Sequence, residues 1–326
     1  MTPMELYLKQ LSELKPALSL KDGQSLEEWR PVALQKLWEL MGMDTFKRCD
    51  LDFRAEETIN KGDYIRTCFT FQSEEGYRVP GYFLNPKTEF SGVMICLQGH
   101  STGMHISLGE PKYEKDAASI AGGRDIALQA VARGYAALVI EQRCFGECGG
   151  KHGGGLGCEK PTILAIMLGK TTIGGRVWDI MRAIDVAEAH FSAGAEYYCM
   201  GNSGGGKATY YVAALEPRIA KAMPSCSIFN HAGNIPAKGV CPCSKCIPGF
   251  CRWFEVSDVA GLIAPRPMLM VHGELDHHCP GPEARKTFAL IQKYYDAAGA
   301  PDAFKIHTGA EGHRFYPEAW EGFMRL

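Results

Sequence analysis

Glu196-Tyr197-Tyr198-Cys199-Met200-Gly201-Asn202-Ser203-Gly204-Gly205-Gly206 is a short apolar run that ends in Gly-x-Ser-x-Gly. Ala208, Tyr210, Tyr211, Val212, Ala213, Ala214 and Leu215 follow with the spacing of a small-residue helix. A serine between a buried strand and a helix sits at the tip of a sharp turn, with its hydroxyl presented above the sheet. Such a turn needs neighbours without a Cβ, both for the backbone angles and for close helix–strand packing. Ser203 is therefore the candidate nucleophile, and a purely structural glycine-rich turn is the plain alternative. The same residues nearly satisfy a phosphate-binding loop: Gly201, four residues, Gly206 and Lys207. That loop needs Ser or Thr next to hold Mg²⁺, and the chain has Ala208 there, which argues against nucleotide binding.

Working outward, short apolar runs recur at Val93 to Leu97, Ala136 to Ile140, Tyr197 to Met200, Ala220 to Met223, Met268 to Val271 and Phe304 to His307. They suit strands buried on both faces. Helical patterns lie between them at Gly123 to Arg133, Val177 to His190, Gly206 to Leu215 and Pro282 to Ala298. This alternation predicts an α/β fold with a parallel sheet covered on both sides. Ahead of it, Tyr64 to Phe71 and Tyr77 to Leu84 read as an antiparallel lead-in. Residues 1–47 read as a helical extension. There Ser25-Leu26-Glu27-Glu28 has the form of a capping box, and Leu26, Trp29, Ala33, Leu37, Leu40 and Met41 share one face. Residues 48–326 form the expected catalytic domain. The glycine-rich stretch 146–157 and a Cys/Pro-containing insertion near 230–255 are expected as loops over a site, the latter lid-like.

The chain of 326 residues carries a net charge of −2, which gives no electrostatic case for nucleic acid or an anionic membrane surface. No apolar run reaches membrane-spanning length, and no signal peptide is visible at the amino terminus. With 13 cysteines and no export signal, the expectation is reduced thiols in a cytoplasmic protein.

A serine hydroxyl needs a base, and the base needs a carboxylate to orient it. Asp276 follows the Met268 to Val271 run on a short turn, with Glu274 as the alternative acid. His313 follows the last strand-like run, beside Gly312. His277, His278 and His307 are nearby competitors. The segment after the strand that follows Ser203, Pro224-Ser225-Cys226-Ser227-Ile228-Phe229-Asn230, offers no carboxylate, which favours Asp276. An oxyanion hole needs two N–H donors. Gly204 supplies one, and Ser101 in the loop Gln98-Gly99-His100-Ser101-Thr102-Gly103 is the first choice for the other, with His100 next.

From about residue 60 onward the chain resembles the α/β-hydrolase superfamily, closest to its acetyl xylan esterase-like and dienelactone-hydrolase-like branch. The pieces that carry this are Leu97-Gln98-Gly99-His100-Ser101, Glu141-Gln142-Arg143-Cys144-Phe145-Gly146-Glu147, Trp178-Asp179-Ile180-Met181-Arg182-Ala183, Gly201-Asn202-Ser203-Gly204-Gly205, Ala264-Pro265-Arg266-Pro267, Gly273-Glu274-Leu275-Asp276 and Gly312-His313. The resemblance implies an eight-stranded, mostly parallel sheet and ester hydrolysis by Ser203, Asp276 and His313 through an acyl-enzyme, without a cofactor. Two departures bear on substrate. Deacetylases of this kind carry Arg-Gly-Gln where this chain has Glu141-Gln142-Arg143, and an Asp and an Arg before the nucleophile strand where it has Phe191-Ser192-Ala193-Gly194-Ala195-Glu196. The expected substrate is a small carboxylic ester, such as an acetylated saccharide. A lactone hydrolase, an acyl-peptidase and a binding module with a decayed site are the alternatives.

His100 and Arg143 are candidate substrate-binding residues, although an ion-pair brace is the stronger reading of Arg143. Trp178 and Trp253 could stack on sugars, but large aromatics more often belong to the core. Cys241, Cys243, Cys246 and Cys251 could ligate zinc. Their spacing is not that of paired Cys-x-x-Cys knuckles, so structural thiols are expected and no metal is assigned.

Overall fold

A computed structural model describes residues 1–149, 157–235, 241–278 and 280–326. Residues 150–156 and 236–240, parts of the glycine-rich stretch and of the lid-like insertion, lie outside the described residues.

The apolar runs form one sheet whose strands, in chain order, are β1 (Arg54–Asn60), β2 (Tyr64–Glu74), β3 (Tyr77–Pro86), β4 (Val93–Leu97), β5 (Ala136–Ile140), β6 (Tyr197–Asn202), β7 (Ile219–Ser225), β8 (Met268–Gly273) and β9 (Phe304–Gly309). Their spatial order is β1-β2-β3-β5-β4-β6-β7-β8-β9. The first three strands and the β3–β5 pair are antiparallel, and every pair from β5 to β9 is parallel. Among the described residues the sheet thus has nine strands rather than eight. The additional one, β1, reads Arg-Ala-Glu-Glu-Thr-Ile-Asn and is exposed on both faces along most of its length. It has no apolar alternation to betray it, and pairing with β2 alone makes it a strand.

The central strands β4, β5 and β8 are buried at every position, as a sheet covered by helices on both faces requires. The helices Thr172–His190 and Gly204–Leu215 are buried along nearly their whole length. In the amino-terminal segment, the helix Leu26–Leu40 buries Leu26, Trp29, Ala33 and Leu37, the face read from the sequence. Ser25 stands at its N-cap but makes no side-chain capping bond, so the expected box is absent. The reciprocal pair forms instead at Thr2 and Glu5, at the start of the exposed helix Pro3–Glu13. Trp178 packs in the core against Phe46 and donates to the Ser73 carbonyl, so it is not a sugar platform. No described helix is long and apolar enough to cross a membrane.

The strand order reverses between β4 and β6, since the chain leaves β4 for β5 on one side and returns to β6 on the other. The carboxyl ends of these two strands border the crevice where open α/β sheets place their ligands. The loop at 98–103 and the turn at Ser203 both emerge there.

Candidate active site

The turn at Ser203 is built by contact as much as by conformation. A Cβ on Gly201 would lie 2.5 Å from the Gly205 carbonyl carbon and 2.7 Å from the Leu97 oxygen. One on Gly205 would lie 2.0 Å from that same oxygen. The helix can start directly against β4 only because both positions are glycine. Ser203 itself has φ 58° and ψ −116°, a strained conformation for a residue with a side chain. Its amide donates to the Ser225 carbonyl at 2.8 Å, which holds the turn to β7.

His313 stands on the loop after β9. Its Nε2 lies 2.8 Å from Ser203 Oγ and its Nδ1 lies 2.8 Å from Asp276 Oδ2. Asp276 is fully buried, and its other oxygen accepts the His278 N–H at 2.9 Å. Burial alone would raise the Asp276 carboxyl, but the hydrogen bond and charge of His313 hold it below its ordinary value. It is therefore a carboxylate at neutral pH. Among the described residues, it is the His313 ring that bridges Ser203 and Asp276, and the competitors are engaged differently. Glu274 pairs with Arg285 at 2.7 Å, and His307 lies on β9. His278 stacks edgewise on His313 with ring centroids 4.6 Å apart, and burial pushes its imidazole down to about 4.

Ser203, His313, Gly204, His100, Lys207, Cys226, Phe229 and Lys245 are among the residues around a small cavity of about 40 Å³. His100 borders this cavity, whereas Ser101 borders two neighbouring clefts. The backbone nitrogen of His100 would lie 3.5 Å from a Cβ placed on Gly204. Of the two amides considered from sequence for the second oxyanion donor, that of His100 is thus brought against the serine turn. A larger cleft of about 840 Å³ opens beside Leu11, Ser19, Phe254 and Tyr294 and contains none of Ser203, Asp276 and His313. Its size is no guide to chemistry.

Arg143 is not among the residues around the Ser203 cavity. Its Nε and Nη2 donate to the two oxygens of the fully buried Asp179 at 2.7 and 2.8 Å, and its Nη1 meets Glu74 at 2.6 Å. The guanidinium also stacks over the Tyr77 ring. With every edge committed, it braces β2 and the Thr172–His190 helix against the loop after β5. Its reading as a substrate-binding residue is corrected on that ground.

Glu141, at the end of β5, went unnoticed as a support. Its carboxyl is buried and takes the Gln98 side-chain amide and the Met104 N–H, tying the loop after β4 to the loop after β5. Burial pushes this carboxyl up to about 7. The folded state therefore holds its proton more tightly than the unfolded state does. The linked stability is fully present below the unfolded value and is lost as pH rises through about 7, amounting to about 3 kcal/mol. The side-chain oxygen Oε1 of Gln98 has no hydrogen-bond partner among the described residues, so a flipped Gln98 side chain could accept from an amide at position 141. Glu141→Gln is therefore expected to raise the melting temperature at pH 8 and to flatten its decline between pH 5 and pH 8. Thermal melts across that range check this.

The cysteines of the insertion are regrouped by the fold. Cys241 and Cys243 meet Cys158, from just before the helix Glu159–Met167, and the ring of His100. Cys246 is exposed and Cys251 lies in the larger cleft. Nothing in the local sequence joins Cys158 to Cys241 across 83 positions.

Comparison with known proteins agrees with this architecture. A model of an abhydrolase family matches residues 228–319. A putative acetyl xylan esterase from Bacteroides fragilis superposes with a TM-score of 0.80 at 16% identity, covering 100% of this chain and 95% of that one. The chain has the α/β-hydrolase fold. A glucuronoyl esterase from Solibacter usitatus shares this hydrolase fold with a TM-score of 0.72 at 16% identity, covering 96% of each chain. In sequence, the putative hydrolase YtaP of Bacillus subtilis is 25% identical over 249 residues, 72% of this chain and 78% of that protein.

Proposed function

We propose that the chain is a serine esterase that cleaves a small carboxylic ester through an acyl-enzyme, with a saccharide acetate as the substrate class. The observation that carries this is the continuous relay from buried Asp276 through His313 to Ser203, with both hydrogen bonds at 2.8 Å. Ser203 Oγ attacks the ester carbonyl while His313 Nε2 takes its proton. The N–H groups of Gly204 and His100 receive the charge that develops on the carbonyl oxygen. His313 then protonates the departing alcohol, and a water activated by the same imidazole releases the acid. Asp276 stays ionised and stabilises the imidazolium. Structural neighbours described as acetyl xylan and glucuronoyl esterases support an ester of a sugar. A cavity of about 40 Å³ beside the serine supports a short acyl group.

A panel of sugar acetates, aryl esters of increasing acyl length, lactones and acyl-peptides tests this reading. The expected result is kcat/KM highest for acetyl esters and at least tenfold lower at butyryl, since the cavity lacks room for the longer chain. A preference for lactones or acyl-peptides would replace the substrate class but keep the nucleophile. Failure of a fluorophosphonate probe to label Ser203 would overturn the esterase itself.

A further inference from the structure

We propose that Cys158, Cys241, Cys243 and His100 form a tetrahedral zinc site that fastens the insertion to the wall of the Ser203 cavity. Their ligand atoms all lie within 4.8 Å of one another. The sulfurs of Cys158 and Cys241 are 2.9 Å apart, those of Cys241 and Cys243 are 3.1 Å apart, and His100 Nε2 is 3.1 Å from Cys243 Sγ. These separations are far outside the ~2.05 Å of a disulfide and inside the roughly 3.8 Å edge of a zinc–thiolate tetrahedron with ~2.3 Å bonds. A small outward relaxation of four side chains admits the ion. Three thiols and an imidazole are the donor set of closed, structural zinc sites, and without any carboxylate they select a soft cation over Mg²⁺ or Ca²⁺.

The surroundings match the charge of such a site. Zinc with three thiolates and a neutral imidazole carries one net negative charge. Arg176 is fully buried, and its Nη2 lies 3.3 Å from Cys243 Sγ. The same guanidinium is anchored by donating to the Arg143 carbonyl at 2.9 and 3.1 Å, while its Nη1 has no partner among the described residues. One buried cation thus stands against one buried negative complex. His100 is oriented for ligation as well. Its Nε2 faces Cys243, and its Nδ1 would lie 2.7 Å from a Cβ on Gly204, so the ring covers the start of the nucleophile helix. Ligation through Nε2 leaves the proton on Nδ1 and fixes the tautomer.

The consequence is a clamp. The ligands come from the loop after β4, the residue before the helix Glu159–Met167, and the insertion, and His100 and Cys243 are 143 positions apart. Binding displaces the thiol protons to solvent and adds its free energy to the folded state. Cys241, Ser244 and Lys245 all border the Ser203 cavity, so the clamp sets one of its walls.

The test is metal content, independent of turnover. The 326-residue chain, purified in reducing buffer without chelator, is expected to contain close to one equivalent of zinc by mass spectrometry. Replacing the zinc with Co²⁺ should give the near-ultraviolet thiolate-to-cobalt charge-transfer band and the intense visible bands of a tetrahedral site. Cys243→Ser and Cys158→Ser should each lower bound zinc at least tenfold, whereas Cys246→Ser and Cys251→Ser should retain it. The wild-type cobalt spectrum needs no variant to fold. Reduced wild-type chain that gives no charge-transfer band with Co²⁺ overturns the proposal. So does a non-reduced mass lower by one hydrogen pair that maps to these cysteines, or zinc retained in folded Cys243→Ser.

Discussion

Ser203→Ala is expected to lower kcat on the best ester by about 10⁴- to 10⁶-fold, with little change in KM or in melting temperature. The size follows from what the substitution leaves behind. His313 and Asp276 keep their mutual hydrogen bond but have no hydroxyl to deprotonate, and the donors at Gly204 and His100 can still polarise a bound carbonyl. The residual rate is that of water attacking in an oriented site. Stability should hold, because alanine carries the same Cβ in the same strained turn, and the Ser203 amide bond to the Ser225 carbonyl does not involve the side chain. Fluorophosphonate labelling, steady-state kinetics and a thermal melt on the same preparation separate the outcomes. Turnover within tenfold of the wild type would remove Ser203 from the mechanism. A lost melting transition would mean that the experiment had measured folding instead.

That this serine could be singled out without coordinates reflects how its turn is written. The run Tyr197 to Met200 must be apolar because the strand is buried, and Gly201 and Gly205 must lack side chains because β4 passes within contact distance. The parallel strands β4 to β8 were legible for the same reason, since burial leaves short, largely apolar runs. Strand β9 is an edge strand exposed at Lys305, Ile306 and Thr308, so the expected burial on both faces does not hold there. Asp276 and His313 were legible because each follows such a run on a loop with glycine nearby. Strand β1 was not, because exposed edge residues carry no periodic signal. The capping box at Ser25 failed for a related reason: the four-residue pattern recurs by chance, and only the backbone entering the helix decides whether the side chain bonds.

Charged groups around the site divide in the same way. Arg143 sits at the end of a core strand, where sequence position alone cannot separate a ligand-binding arginine from a brace. Its role follows from Asp179 and Glu74, which come from remote elements. Glu141 was visible but its burial was not. The grouping of Cys158 and His100 with Cys241 and Cys243 depends on loops brought together by three different parts of the chain, so proximity along the sequence pointed instead to Cys246 and Cys251. Sequence located the candidate groups that lie on single strand-to-loop junctions. The fold was needed wherever partners arrive from separate junctions.

Asp276→Asn is expected to lower kcat by about 10⁴-fold at neutral pH while leaving substrate binding nearly intact. The direction in which the new amide must point is fixed by the structure. Asp276 Oδ1 accepts the His278 N–H at 2.9 Å in a buried setting, and an amide NH₂ cannot replace an acceptor there without leaving two donors facing each other. The asparagine oxygen therefore stays toward His278, and its NH₂ turns toward His313 Nδ1. That nitrogen must then accept, which moves the imidazole proton to Nε2 and aims a donor at Ser203 Oγ instead of a base. The loss is one of tautomer, so the fold and the Ser203–His313 contact survive while proton abstraction does not. Glu274→Gln supplies the control. Its carboxylate is engaged with Arg285, and removing that charge should leave kcat within severalfold of the wild type. If Glu274→Gln rather than Asp276→Asn carried the large loss, the acid of the relay would have to be reassigned. A thermal melt beside the kinetics of Asp276→Asn distinguishes this effect from simple misfolding, because a tautomer block lowers kcat without moving the melting temperature by a comparable amount.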